Sequence, residues 1–317
     1  MLKKLIIFFV FSFIVLLTGC QNKNNSIEIV NGDFKYLISE STFEPYTYDI
    51  SILAGEGECV VPAEVTDSEG NKYTITGIKE EGFSDCHLTK ITLSEGIKYI
   101  GNHSFFSSLS LEEVILPEGV LYLGDYAFAS CDKLQNVVLE EGILRIDQYA
   151  FSKCESLGSL NIPSTVTEID NNAFSDCKSL KSIVLPDNLL IIERYAFSNC
   201  TSLETITLPE KISFVDVGLF YNCQNLVNVY FSEAISKLCD FSFYNCDKLS
   251  LVVNKNIATI EIDTFNSASG NIYSEFSEKP EGYKCETKDF YWYSETMPNG
   301  QTTTKYWRYV GGNPTKW

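Results

Sequence analysis

With 317 residues, of which 44% are hydrophobic and 21% charged, the chain has the composition of a folded protein, not of a disordered or collagen-like one. Twenty-four basic against 42 acidic residues leave a formal charge of −18. Such a surface repels phosphates and anionic head groups, and no run of Lys or Arg offers a local exception, so nucleic acid is not an expected partner.

At the N-terminus, Lys3 and Lys4 precede an apolar run from Leu5 to Leu17. That run is short of the roughly 20 residues a membrane-spanning helix needs. It ends in Leu17-Thr18-Gly19-Cys20, which resembles the lipobox of bacterial lipoproteins. The resemblance implies a signal peptide over 1–19, cleavage before Cys20 and a diacylglyceryl group on the Cys20 thiol. The mature protein would then be extracytoplasmic, lipid-anchored to the bacterial cell membrane and surface-exposed. Residues 20–32 are polar at first and read as a flexible tether.

Self-similarity organises the remainder. Phenylalanine recurs at Phe83, Phe105, Phe128, Phe151, Phe174, Phe197, Phe220, Phe243 and Phe265, in steps of 22, then six of 23, then 22. One unit reads Phe174, Cys177, Leu180, Ile183, Leu185-Pro186, Leu189 and Ile192 before Ala196-Phe197. Ile183 and Leu185 are two apart, which is strand periodicity, and Pro186 suits a strand end because it lacks an N–H. Strands stacked once per turn at about 4.8 Å form a parallel sheet along one side of a coil, with Leu189 and Ile192 turned inward on the return limb. A single unit buries too little alone, so its neighbours complete its core.

The pattern LxxIxLP, a return VxxI, then AFxxC, as in Leu157 to Cys177 and Leu180 to Cys200, resembles the Treponema-type or BspA-like class of leucine-rich repeats. The resemblance covers about residues 58–270. It implies a β-rich repeat solenoid, a right-handed coil with one parallel β-sheet, and a role among bacterial surface or secreted proteins that bind host proteins or other cells. On this reading residues 33–80 are an N-terminal cap with a partial first repeat, 81–270 are repeats of about 23 residues, and 271–317 are a C-terminal aromatic cap.

Cys86, Cys131, Cys154, Cys177, Cys200, Cys223 and Cys246 each lie three residues after a marker Phe, with Ser108 in the place after Phe105. Cβ atoms in a stacked column sit about 4.8 Å apart, wider than the roughly 3.8 Å of a disulfide, so these read as free thiols serving as small buried hydrophobes. Cys59, Cys239 and Cys285 fall outside the column and stay unassigned. His87 and His103 are the only histidines, and no CxxC, HxxxH, GxSxG, HExxH or phosphate loop accompanies them. Neither catalysis nor a cofactor is expected. After the return Ile, Gly101 and Gly124 give way to Asp147, Asp170, Glu193 and Asp216. This column reads as a turn position where Asp tolerates the left-handed backbone that Gly would adopt, with calcium between the carboxylates as the alternative.

On the strand, the outward residue runs Thr92, Ile115, Val138, Asn161, Val184, Thr207 and Tyr230, without a charge. Strand propensity alone produces such a strip, and so does a protein-binding surface relieved of desolvation cost. Tyr99 with Tyr122, and Tyr126, Tyr149 and Tyr195, align on the return limb as a second candidate surface. All three tryptophans fall in the tail, where Tyr291-Trp292-Tyr293 and Tyr306-Trp307-Arg308-Tyr309 flank Asn299-Gly300, a hairpin signal. That hairpin is expected to cover the open end of the coil; alternatively Trp292, Trp307 and Tyr309 stack on sugars. The expected function is a monomeric, non-catalytic surface lipoprotein that binds a host or bacterial protein through the strip and the membrane through its anchor. A glycan-binding envelope module is the alternative.

Overall fold

Between each marker Phe and the next, alternating apolar residues send the chain through two short extended limbs joined by tight bends. The computed structural model describes residues 26–31, 33–40, 48–253, 256–261, 263–265, 267–268, 271–274, 292–296, 302–310 and 313–316. The expected signal peptide, Cys20, Cys285, the expected turn at Asn299-Gly300 and Trp317 lie outside the described residues.

The LxxIxL limbs form the front of the coil: Glu56–Val61, His87–Leu93, Glu113–Ile115, Asn136–Val138, Ser159–Asn161, Ser182–Val184, Thr205–Thr207, Asn228–Tyr230 and Ser250–Val253. Paired neighbours run parallel and in register, with Val60 beside Thr92, Thr92 beside Ile115, Ile115 beside Val138, Asn161 beside Val184 and Thr207 beside Tyr230. Leu160, Ile183 and Ile206, the middle residues of three strands, are buried.

Beside the front strands, the return limbs form short parallel ladders of their own. Lys72–Ile78, Tyr99–Ile100 and Tyr122–Leu123 pair in parallel, as do Arg145–Ile146, Glu168–Ile169 and Ile191–Ile192, and then Phe214–Val215, Lys237–Leu238 and Thr259–Ile260. A constant repeat length puts every limb beside its copy one turn on, so even two extended residues find a ladder partner. The flanking bends keep these strands short.

All nine marker phenylalanines are fully buried. From Phe105 to Phe265 their rings stack with centroids 4.9–6.0 Å apart and planes within 20°. The bend holding each ring divides its hydrogen bonds between two directions. Asn172, Phe174 and Asp176 donate their N–H groups to the carbonyls of Arg194, Ala196 and Ser198 one turn on, at 3.0, 2.9 and 2.8 Å. Ala173, Ser175 and Cys177 donate back to Asp170, Asn172 and Phe174, at 3.2, 3.0 and 3.3 Å. This alternation requires left-handed backbone at Asn172 (φ 57°) and Asp176 (φ 60°). Tyr126, Tyr149 and Tyr195 occupy the first of these positions with φ 56°, a conformation unfavourable for a bulky residue in isolation. The inter-turn bonds from the bend hold them there.

The cysteine column is more than small hydrophobe. Cys131, Cys154, Cys177, Cys200, Cys223 and Cys246 each donate Sγ–H to the carbonyl of the preceding turn's marker Phe, at 3.1–3.2 Å. Ser108 Oγ does the same to Phe83 at 2.9 Å, a small donor standing in for the thiol. Cys59 and Cys239 are also buried and free, Cys59 against the hydroxyl of Tyr36 at 3.1 Å. Burial raises these thiols, pushing Cys223 up to about 12 and Cys239 up to about 11. The described thiols should therefore resist alkylation in the folded protein and all react once it unfolds, as read by mass spectrometry without reductant. Disulfide-linked column peptides would contradict this packing.

Both ends carry added strands. Ile27–Asn31, Phe34–Glu40 and Tyr48–Ala54 form an antiparallel cap, and the last runs parallel to Lys72–Ile78 at the start of the return ladder. Residues 20–32 are thus not tether throughout: alternation around buried Ile29 makes Ile27–Asn31 a strand. At the other end Ser250–Val253, Asn271–Ser274 and Thr302–Val310 extend the front sheet. The expected hairpin is present, Trp292–Thr296 pairing antiparallel with Thr302–Val310 and Trp292 in register with Tyr306. Asn313–Lys316 adds a further strand.

Candidate functional site

Strand alternation places the uncharged strip on the outside of the front sheet. Thr92 and Ile115 are half-buried, while Val138, Asn161, Val184, Thr207 and Tyr230 are exposed, Val184 at 62% and Tyr230 at 56%. In the adjoining column Lys90 and Glu113 neutralise each other at 2.9 Å, and beyond them come only Asn136, Ser159, Ser182, Thr205 and Asn228. From the third strand of that column onward, both outward columns are free of charge. Shallow cavities open along this face. One of about 310 Å³ is lined by Val138 and Asn161, one of about 230 Å³ by Val184 and Thr207, and one of about 620 Å³ by Thr207, Leu208, Tyr230 and Phe231. Val60, in register with Thr92 and exposed, extends the strip by one strand. The sequence signal for it was Val60-Val61-Pro62, the end of a repeat strand.

The aromatic alternative on the return limb changes character. Tyr99 and Tyr122 are in register, but Tyr99 is buried with its hydroxyl donating to Asp49. Tyr126 stacks between His103 and Tyr149 at 4.8 and 4.6 Å, which covers both of its faces. Tyr195 leans over Gly218, where a Cβ would collide with its ring. Tyr126 and Tyr149 thus pack against each other rather than standing as open, flat surfaces. The return limb instead exposes two apolar patches that the repeat consensus did not point to, Leu121, Tyr122 and Leu144, then Leu190, Ile191 and Phe214. Arg145 and Glu168 separate them.

The acidic column is also corrected, since neither Asp147, Asp170, Glu193 nor Asp216 has left-handed backbone. Gly101 and Gly124 are required for closeness instead: a Cβ there would come within 2.6 Å of Glu80 N and 2.7 Å of Asn102 N. In later turns the acids bond locally, Asp170 accepting from Asn171 N at 2.6 Å and Asp216 from Val217 N at 2.7 Å. Buried Asp147 takes a short hydrogen bond from Arg145 Nε, and the same guanidinium reaches Asp170 at 3.4 Å and Glu168 at 3.7 Å. Arg145 therefore supplies the positive charge beside Asp147 and Asp170. Among the described residues no group of three acidic, His or Cys side chains is arranged to hold a metal ion. For Trp292, Trp307 and Tyr309 the structure describes the backbone strands alone.

A sequence profile of the BspA type leucine rich repeat region matches residues 70–181 and 145–272, in six copies. The chain belongs to this family. Among solved structures, this BspA-type chain is similar to a leucine rich repeat protein of T. pallidum, at 24% identity and a TM-score of 0.49, covering 71% of this chain and 91% of that one. It is also similar to a leucine-rich repeat protein from Bacteroides ovatus, at 19% identity and a TM-score of 0.35, covering 81% and 90%. A leucine rich cell surface protein from Faecalibacterium prausnitzii is 19% identical with a TM-score of 0.34, covering 83% and 99%. No curated protein matches the chain.

Proposed function

We propose that this BspA-type protein is a non-catalytic surface lipoprotein, anchored through Cys20, that adheres to a partner protein through the front of its sheet. The observation that carries the reading is the exposed, uncharged strip running the length of the repeats in a chain with a net charge of −18. Charges are costly to strip of water at the centre of an interface, and the strip from Thr92 to Tyr230 carries none. The Leu17-Thr18-Gly19-Cys20 motif supports display at the cell surface, and two acyl chains hold a protein to a membrane far better than one.

Cells displaying the full chain are to be tested against host-cell and bacterial surfaces, untreated or pretreated with protease or glycosidase. Adhesion should be lost on protease treatment of the target and when the displayed chain carries Val138→Lys with Val184→Lys, variants that keep the β-rich circular dichroism. Loss on glycosidase treatment alone, with the lysine variants unaffected, would instead support the C-terminal aromatic strands.

A further inference from the structure

The front strip has a border on one side that the repeat consensus conceals. Three residues beyond each strip position, at the turn after the strand, stand Glu95, Glu118, Glu141, Asp187, Glu210 and Glu233, all exposed and one per turn, with Ser164 filling the single gap. Glu141 is committed to that gap, accepting from Ser164 N and Oγ and from Thr165 N at 3.0–3.1 Å. Among the described residues, no Lys or Arg pairs with the other five. Even Lys211, next in sequence to Glu210, donates to Asn188 Oδ1 at 2.9 Å.

The acids do not stand apart from the apolar face. Glu210 and Glu233 share the 620 Å³ cavity with Leu208, Tyr230 and Phe231, and Asp187 lines the 230 Å³ cavity beside Val184. A cavity with an aromatic wall and two carboxylates at its rim suits a Lys or Arg, its stem on the rings and its charged head at the acids.

We propose that the occupant of this face is a cationic amphipathic helix of a partner protein, laid along the solenoid axis, its apolar stripe on the strip and its basic stripe on the carboxylate row. This rests on the adhesion reading above and names the chemistry of its partner. Spacing selects the helix. The row repeats at about 4.8 Å per turn of the coil. A helix presents one residue of a stripe per turn of about 5.4 Å, a mismatch that long Lys and Glu side chains absorb. An extended peptide presents one residue to a face every 6.7 Å or so and slips out of step with the acids at once. From Glu95 to Glu233 the row spans six stacking steps, about 29 Å, enough for a helix of five to six turns.

The test uses a fluorescent alanine-based helix of about six turns, with Lys on one stripe and Val on the next. It is titrated by anisotropy against the full chain in non-ionic detergent. Binding should weaken steeply with salt, and Asp187→Asn/Glu210→Gln/Glu233→Gln should weaken it about tenfold or more. Glu69→Gln/Glu80→Gln/Glu112→Gln removes the same charge away from the row and should change it less than about twofold. Equal weakening by the two triple variants, or no binding at all, overturns the proposal. If the displayed chain then still adheres in a manner sensitive to Val138→Lys/Val184→Lys, the adhesion reading stands with a partner of different chemistry.

Discussion

Phe174→Ala is expected to lower the unfolding free energy by about 3–5 kcal/mol, the range for deleting a fully buried aromatic ring. Phe174 has no exposed surface and is stacked between Phe151 and Phe197 at 5.5 and 5.6 Å. The vacancy would therefore cost both partners their contacts at the middle of the coil. In a stack where each turn touches only its neighbours, such a break weakens the coupling between the two halves. Denaturant unfolding should show an earlier midpoint, and Phe174→Leu should recover part of the loss. A change below about 1 kcal/mol would mean that the phenylalanine column is not the main support of the repeat.

Arg145→Ala is expected to cost about 2–3 kcal/mol, less than for a fully buried pair because the Arg145 side chain is itself 46% exposed. Its removal strips buried Asp147 of its ion-pair partner, and Asp147 Oδ2 already lacks a hydrogen bond. Burial pushes the Asp147 carboxyl above the usual carboxylate range, against the opposing pull of Arg145, and deleting Arg145 moves it further up. A carboxyl raised in the folded state destabilises that state fully when ionised, at pH above its folded pKa, and the penalty lifts as pH falls through that value. The deficit of the variant relative to the parent should therefore narrow as pH falls from neutrality towards the ordinary carboxylate range. Adding Asp147→Gly, the residue of Gly101 and Gly124 at this place, should recover much of the loss. A deficit constant with pH would show that Arg145 acts by packing alone.

Much of the architecture was legible because the chain states it repeatedly. Nine phenylalanines in near-constant steps determine the coil, and the two-residue spacing of Ile183 and Leu185 identifies the front strand and hence the outward strip. What escaped was what residue type does not encode. Tyr126, Tyr149 and Tyr195 give no hint of left-handed backbone, which follows from bonds shared between turns. The acids after the return Ile were misread for the same reason: Gly101 and Gly124 serve close approach, so their replacement by Asp says nothing of φ. The thiol hydrogen bonds did leave a trace, since Ser108 in a cysteine column keeps a small donor at that place. The return-limb patches did not, because Leu144 and Leu190 are exposed at the entry to two-residue strands too short to show a period.

Two outward faces therefore compete for the role of binding surface, and one comparison separates them. Adhesion of cells displaying the full chain is to be measured for Val138→Lys/Val184→Lys on the front and for Leu190→Lys/Phe214→Lys on the return limb, with display level and circular dichroism matched. Use of the front sheet requires that the first pair abolish adhesion and the second leave it near the parent level. Adhesion lost with the return-limb pair and kept with the front pair would contradict the assignment and move the binding surface to the opposite side of the coil.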